Sequence, residues 1–320
     1  MIEMIGIEKS YGDVPVLTGI DLRVERGEVF AVLGPNGAGK TTTINILTTL
    51  ISPDRGVATV DGRDVVADPD GVRRAISVTG QSAAVDGFLT GFENLVMIGR
   101  LARLGSSARR RAAELLAQFD LVDAGSRRVS TYSGGMRRRL DLAISLVARP
   151  PVIFLDEPTT GLDPRSRQTL WGIVRDLAAE GTTILLTTQY LEEADQLADR
   201  IAVIAGGRIA ALGTASELKQ RVARERVDLT FADVEGFGTA MGIVAGEHVV
   251  VDAVQLSISV ATDQPVATVR DLIDVMDRNQ ITLASIAITK PSLDDVFMAL
   301  TEHPAPSSAA VATAAAGAAA

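Results

Sequence analysis

The sequence predicts an α/β fold: a mixed sheet with a helical subdomain, followed by a small C-terminal α+β domain. Three observations predict it. A glycine-rich loop, Gly34-Pro35-Asn36-Gly37-Ala38-Gly39-Lys40-Thr41-Thr42, joins an apolar strand-like run, Glu28 to Leu33, to a helix-like stretch, Thr42 to Leu47. A second apolar run, Val152 to Leu155, ends in two adjacent acids, Asp156 and Glu157. Beyond residue 220, short strand-like and helix-like segments follow one another in a compact piece.

Taken in order, Ile2 to Glu8 and Val16 to Val24 read as strands around a Tyr-Gly-Asp-Val-Pro turn. Val57 to Val60 ends at the Asp61-Gly62 turn, and these three strands are expected to form an antiparallel edge beside the strand that feeds the glycine loop. From about Asp86 to Ala148 the apolar spacing turns helical, as in Phe92 to Val96 and Arg110 to Phe119. Pro151 to Leu155 and Thr182 to Thr187 are short apolar runs suited to buried parallel strands. Ile201 to Ile204 and Arg208 to Leu212 flank Gly206-Gly207, a hairpin signal. A charged, helix-like piece, Ser216 to Arg226, separates the second region. There Val227 to Phe231, Gln255 to Val260 and Ile281 to Ile288 read as strands, and Val269 to Asp277 and Leu293 to Leu300 as helices. The domains expected are residues 1–220, with the helical subdomain at about 86–148, then 221–303, then a disordered, alanine-rich tail at 304–320.

The composition narrows the function. The 320 residues carry a net charge of −9, which argues against a basic nucleic-acid-binding surface. With no cysteine, disulfides, iron–sulfur clusters and thiol catalysis are excluded. The 2 histidines, His248 and His303, lie far down the chain from the glycine loop, so a histidine-rich metal site is not expected. Neither a secretory signal nor an apolar run of membrane-spanning length is read.

The glycine loop has the strand–loop–helix context of a phosphate-binding P-loop. Glycines let the backbone approach a polyphosphate, and loop N–H groups with the helix N-terminus face its oxygens. Lys40 reaches the β- and γ-phosphates, and the Thr41 hydroxyl suits Mg²⁺. At the end of the second strand, Asp156 suits a water on Mg²⁺, and Glu157 suits a general base for an attacking water. Between these motifs, Thr131-Tyr132-Ser133-Gly134-Gly135-Met136-Arg137 reads as a helix start capped by Ser133, with Gly134 and Gly135 as exposed backbone. It is either a second anion cradle or an ordinary loop-to-helix junction. The run Arg137-Arg138-Arg139 reads as a solvated helix face, with a direct phosphate contact as the alternative.

With these pieces in this order, the chain resembles the nucleotide-binding subunit of ATP-binding cassette (ABC) transporters, over roughly residues 1–220. The resemblance implies a P-loop NTPase core of the ABC ATPase kind, with ATP and Mg²⁺ as ligands. By the same resemblance Tyr11 stacks on adenine, although a plain hairpin tyrosine fits the residue equally well. Gln81 resembles the glutamine that touches Mg²⁺ and couples to the membrane partner. Gly161-Leu162-Asp163 resembles the loop linking the two sites of a dimer, with Pro164 a natural helix start. Two positions depart from the family pattern: Met136 follows the Ser-Gly-Gly element where glutamine is usual, and Gln189 occupies the switch-histidine position. Glutamine can donate to a γ-phosphate but carries no proton there, which implies slower or differently tuned hydrolysis.

Stretches Ser77 to Leu95, Thr187 to Val203 and Ile288 to Phe297, with the Tyr-Ser-Gly-Gly-Met element, resemble the ATP-binding subunits of daunorubicin/doxorubicin-type resistance exporters. This implies a homodimer, a separate transmembrane permease, a place on the cytoplasmic face of the membrane, no nucleic-acid partner, and export of a drug, antibiotic or lipid-like molecule. Phe88, Leu89 and Phe92 are either a permease-docking patch or lobe core. The competing class is a non-transport ABC ATPase acting on ribosomes or DNA ends. The single P-loop, the absence of sustained heptads and the acidic charge weigh against it.

Overall fold

A computed structural model of the chain describes residues 1–80, 85–222, 224–244 and 249–302. It divides into two compact units, Met1–Ala215 and Ser216–Ala299. The first unit runs β1 (Ile2–Tyr11), β2 (Val14–Val24), β3 (Val29–Leu33), α1 (Lys40–Leu47), β4 (Arg55–Val60), β5 (Arg63–Asp64), α2 (Pro69–Ala75), β6 (Ile76–Thr79), α3 (Gly91–Leu101), α4 (Ala108–Gln118), α5 (Gly134–Ser145), β7 (Val152–Asp156), α6 (Pro164–Ala179), β8 (Thr183–Thr188), α7 (Leu191–Leu197), β9 (Arg200–Ala205) and β10 (Arg208–Gly213). From there the chain continues through α8 (Ala215–Val222), β11 (Glu225–Phe231), α9 (Val234–Ile243), β12 (Val249–Asp252), β13 (Ser257–Thr262), α10 (Pro265–Arg278), β14 (Leu283–Thr289) and α11 (Leu293–Glu302).

The six-stranded sheet has the order β10-β9-β3-β8-β7-β6. Its members from β9 to β6 are parallel, and β10 closes the edge antiparallel to β9. Every residue of β3, β7 and β8 is buried, as strands covered on both faces require. The antiparallel strands expected beside β3 instead form their own sheet, β2-β1-β4-β5. The reason is that β8 and β9 already occupy both edges of β3. Alternation in β1 then turns Ile2 and Met4 inward, where they share one core with Leu17, Leu22, Phe30, Val32 and Phe154. The two sheets are joined where the Thr18 amide donates to the Gly207 carbonyl at 2.9 Å.

Helix ends follow local chemistry. Thr90 and Glu93 form a reciprocal capping box at α3, and Asp68 with Pro69 and Asp163 with Pro164 start α2 and α6. In the second unit, β11 to β14 form an antiparallel sheet of order β12-β13-β11-β14, interleaved with helices as a ferredoxin-like βαββαβ plait. Its core is Val227, Leu229, Phe231, Phe237, Ala240, Ile258, Leu272, Met276 and Ile281. The charged piece expected as one helix from Ser216 to Arg226 is divided: α8 stops at Val222, and Arg226 belongs to β11. Period-two burial of Val227, Leu229 and Phe231 decides that. The tail expected at 304–320 lies outside the described residues.

Candidate active site

Parallel register gathers the chemistry at one edge. Leu33 pairs with Thr188, Asp156 with Thr187, and Thr79 with Leu155, so the loops after β3, β6, β7 and β8 all leave the sheet at its carboxyl end. After β3, Gly37 and Gly39 adopt φ of +81° and +109°. A Cβ on Gly39 would lie 2.5 Å from a Leu17 methyl, so the loop needs glycine there for both conformation and space. Gly39 caps α1 by backbone alone: no side chain caps that helix and no acid occupies its first turn. Its N-terminal N–H groups and dipole thus suit an anion. Pro35, Asn36, Gly37 and Thr41 are exposed; Gly34, Ala38, Lys40 and Thr42 are buried.

Lys40 is only 5% exposed. Its Nζ donates to the carbonyl oxygens of Gly34 at 2.7 Å and Pro35 at 3.2 Å, and lies 3.9 Å from Glu157 Oε1. Burial lowers the Lys40 pKa from its ordinary value, while Glu157 and Asp156 act in the opposite direction.

At the end of β7, Asp156 Oδ1 accepts from Thr187 Oγ1 at 2.5 Å. Glu157 sits one residue beyond the strand with φ +48°, a left-handed conformation that costs a non-glycine residue about 1–3 kcal/mol. Its amide donates to the Thr187 carbonyl at 3.0 Å, which helps hold it there. β7 and its neighbour β8 thus fix both acids.

Ser133 caps α5, its hydroxyl accepting from the Met136 amide at 3.2 Å. Gly134 is exposed, whereas a Cβ on Gly135 would collide with Ser166. Among the described residues, no hydrogen bond or ion pair joins Ser133, Gly134 or Gly135 to the glycine loop. A cavity of about 310 Å³ lies between Gly134, Arg137 and Arg138 on one side and Glu157, Thr160, Gly161 and Leu162 on the other.

The arginine run is not a solvated face. Arg137 is exposed, but Arg139 Nη1 donates to the carbonyls of Phe119 and Asp120 at the end of α4, both at 3.0 Å. Arg138 is 9% exposed and reaches the backbone at the ends of β6 and β7. The sequence shows three like residues; only tertiary packing sends them three ways.

These residues belong to a recognisable lineage. Residues 17–160 match the ABC transporter family. Over 308 residues the chain is 51% identical to the daunorubicin/doxorubicin resistance ATP-binding protein DrrA of Streptomyces peucetius, covering 95% of this chain and 93% of that protein. The chain belongs to the ABC transporter family. It is also 33% identical over 305 residues to the linearmycin resistance ATP-binding protein LnrL of Bacillus subtilis, covering 94% of this chain and 98% of the relative. Among solved structures, the ATP-binding subunit of an ABC transporter matches with TM-score 0.61 at 29% identity, over 69% of this chain and 92% of that one. A dimeric ATP-binding cassette, in a post-hydrolysis state bound to ADP and Pi, matches with TM-score 0.60 at 25% identity, over 67% of this chain and 98% of that one.

As an ABC ATPase the chain binds and hydrolyses ATP, and its geometry fits a triphosphate: an uncapped helix start, a glycine loop and a buried lysine converge. Among the described residues no group of three or more His, Cys, Asp or Glu could hold a metal. A carboxylate such as Asp156 and a hydroxyl such as Thr41 are still the kinds of oxygen donor Mg²⁺ takes when phosphates complete its shell. Gln81 lies outside the described residues. Gln189 is exposed, one residue past β8. Tyr11 is 49% exposed at the end of β1. Asp163 caps α6 by accepting from the Ser166 amide and hydroxyl, bonds that lower its pKa.

Sequence reasoning does not single out three buried residues of this unit: Arg138, which it reads as part of a solvated face, Thr187 and Glu193. Thr187 carried a signal, a hydroxyl inside an otherwise apolar strand run. Asp141, amid Leu140, Leu142 and Ala143, was the hint that α5 buries a cation. Glu193, fully buried on α7, accepts from Trp171 Nε1 at 3.3 Å. Nothing in its sequence surroundings marks it.

Proposed function

We propose that two copies of this chain close on MgATP and use its hydrolysis to drive a separate transmembrane permease that exports a drug, antibiotic or lipid-like molecule. The observation that carries the reading is the meeting of Lys40 and Glu157 at 3.9 Å, beside Asp156, at the carboxyl edge of the sheet. The resistance relatives supply the cargo class.

In this reading the N–H groups of Gly37 to Thr41 and the Lys40 ammonium neutralise the β- and γ-phosphates, with Tyr11 beside the base. When bound, Mg²⁺ supplies further charge neutralisation, with Thr41, Gln81 and Asp156 as the residues that would hold it. Glu157 takes a proton from the attacking water, and Gln189 donates to the γ-phosphate. Ser133 and Gly134 are exposed and serve the partner copy's nucleotide, with Asp163 near the junction. Charge shared between two partners favours closure; phosphate loss removes it, so the nucleotide shifts an open–closed equilibrium.

The permease docks on the helical lobe. Phe88 is 87% exposed, and Leu89, Phe92, Val96, Met97 and Leu101 line a groove of about 480 Å³. No described helix is long and apolar enough to cross a membrane; in this reading the permease is a second protein, and the chain works at the cytoplasmic membrane face, as the family and the resistance relatives suggest. Residues 221–303 form the appended domain, a dimer-stabilising or regulatory module. Inside-out vesicles holding the chain and its permease test the proposal: MgATP-dependent daunorubicin uptake that Glu157→Gln abolishes supports it. Uptake indifferent to ATP would reject it.

A further inference from the structure

We infer that Arg138 is a positioning residue for hydrolysis, holding the backbone around Glu157 and the Gly80 carbonyl just past β6. The inference rests on Glu157 as the general base. Arg138 Nε donates to the Pro158 carbonyl at 2.7 Å and Nη1 to the Gly80 carbonyl at 2.6 Å. Nη2 lies 3.4 Å from the carbonyl oxygens of both Asp156 and Glu157. Three consecutive peptide units that carry the acids therefore face one cation. That is what a left-handed Glu157 requires: its strained backbone persists only if its surroundings over-determine it. Asp141, one turn along α5, lies 3.4 Å from Nη1 and orients the guanidinium.

The planar five-donor fork explains the residue type. Arginine serves several separate carbonyls at once, whereas a lysine ammonium is a single point that cannot span them. The same helix begins at Ser133-Gly134, so Arg138 ties three things into one rigid piece: the exposed cradle, the Gly80 end of β6 and the catalytic carboxylate. A pull on the start of α5 is felt at Glu157 through this side chain.

The test uses the full chain with Arg138→Met, which keeps bulk without charge, and Arg138→Lys, with MgATP turnover expressed per nucleotide-binding chain. We expect Arg138→Met to lower kcat about tenfold to a hundredfold, as small misplacements of a reacting group do, with KM for ATP little changed. Arg138→Lys should recover only part. In a Glu157→Gln background Arg138→Met should add no further loss, because a residue acting through Glu157 has nothing left to position. Wild-type kcat in Arg138→Met would overturn the inference. So would a loss matched by fewer nucleotide-binding chains, or one that multiplies the Glu157→Gln defect. If Arg138→Met does not fold, wild-type kcat in Arg138→Lys overturns it instead. Full turnover in Glu157→Gln alone would be a different failure: it would remove the general base, and this inference with it.

Discussion

The carboxyl edge of the six-stranded sheet and the C-terminal plait are both strands packed on helices, yet they bury different chemistry. Lys40, Asp156, Arg138, Asp141 and Glu193 are all buried in the first unit. Among the described residues no polar or charged side chain of the plait is fully buried, and its core is wholly apolar. Its central acid, Asp228, is half-buried and takes hydroxyl hydrogen bonds from Ser259 and Thr289. Burying an ion is costly unless it is paired and hydrogen-bonded. The first unit accepts that cost at Glu28, which pairs with Arg200 at 2.6 Å, and above all at the carboxyl edge of the sheet, where the glycine loop, the two acids and the strained backbone coincide. The core of the plait is apolar, and the polar contacts of Asp228 sit at half-buried positions.

The contrast can be broken most sharply at Glu157. Glu157→Gln should lower ATP turnover by about 10²–10⁴-fold while nucleotide binding is retained; steady-state kinetics beside a binding titration checks both. Leu229→Ala acts on the other side of the comparison. It should destabilise the plait by about 2–5 kcal/mol and leave turnover unchanged, read as a shifted unfolding transition beside an unaltered ATPase rate. Gly39→Ala should cost about 1–3 kcal/mol through its left-handed backbone and also weaken ATP binding, because the loop must move off Leu17. Denaturation and nucleotide titration measure the two effects.

Glu193 sharpens the comparison by pH. Burial raises its carboxyl above the ordinary 4.5. Between that value and the raised one the native state binds the extra proton, so stability falls as pH rises through the window. Glu193→Gln, which still accepts from Trp171, should flatten that fall and exceed the wild type at its alkaline end, in denaturant titrations across the window. Gln189→Ala should have the smallest effect, a modest slowing of turnover, because a glutamine can donate a hydrogen bond but moves no proton. A rate equal to wild type would remove that side chain from the reaction.

Much of this was legible from residues alone. β3, β7 and β8 announce themselves as short apolar runs because both their faces are covered. The motifs at their ends are local in sequence and so survive without a structure. Alternation in β1, β2 and β4 reveals one buried face but not which surface covers it, so their separate sheet was not legible. α9 carries Gly236, Gly238 and Gly242, which mask a helix by propensity. α2 and β6 are brief and adjoining, and β12 is four residues long, too little pattern to read. The fates of Arg137, Arg138 and Arg139 depend on contacts about twenty or more residues away, such as Arg138 with Pro158. No local spacing encodes those.

The closure of two copies on MgATP is tested most directly by the mass of the Glu157→Gln chain in solution, by sedimentation, with and without MgATP. One chain weighs 33.6 kDa. The expected result is a shift to twice that mass when MgATP is added, reversed by its removal and absent when Lys40 is also replaced. A chain that binds MgATP to saturation and stays at the mass of one copy would contradict it.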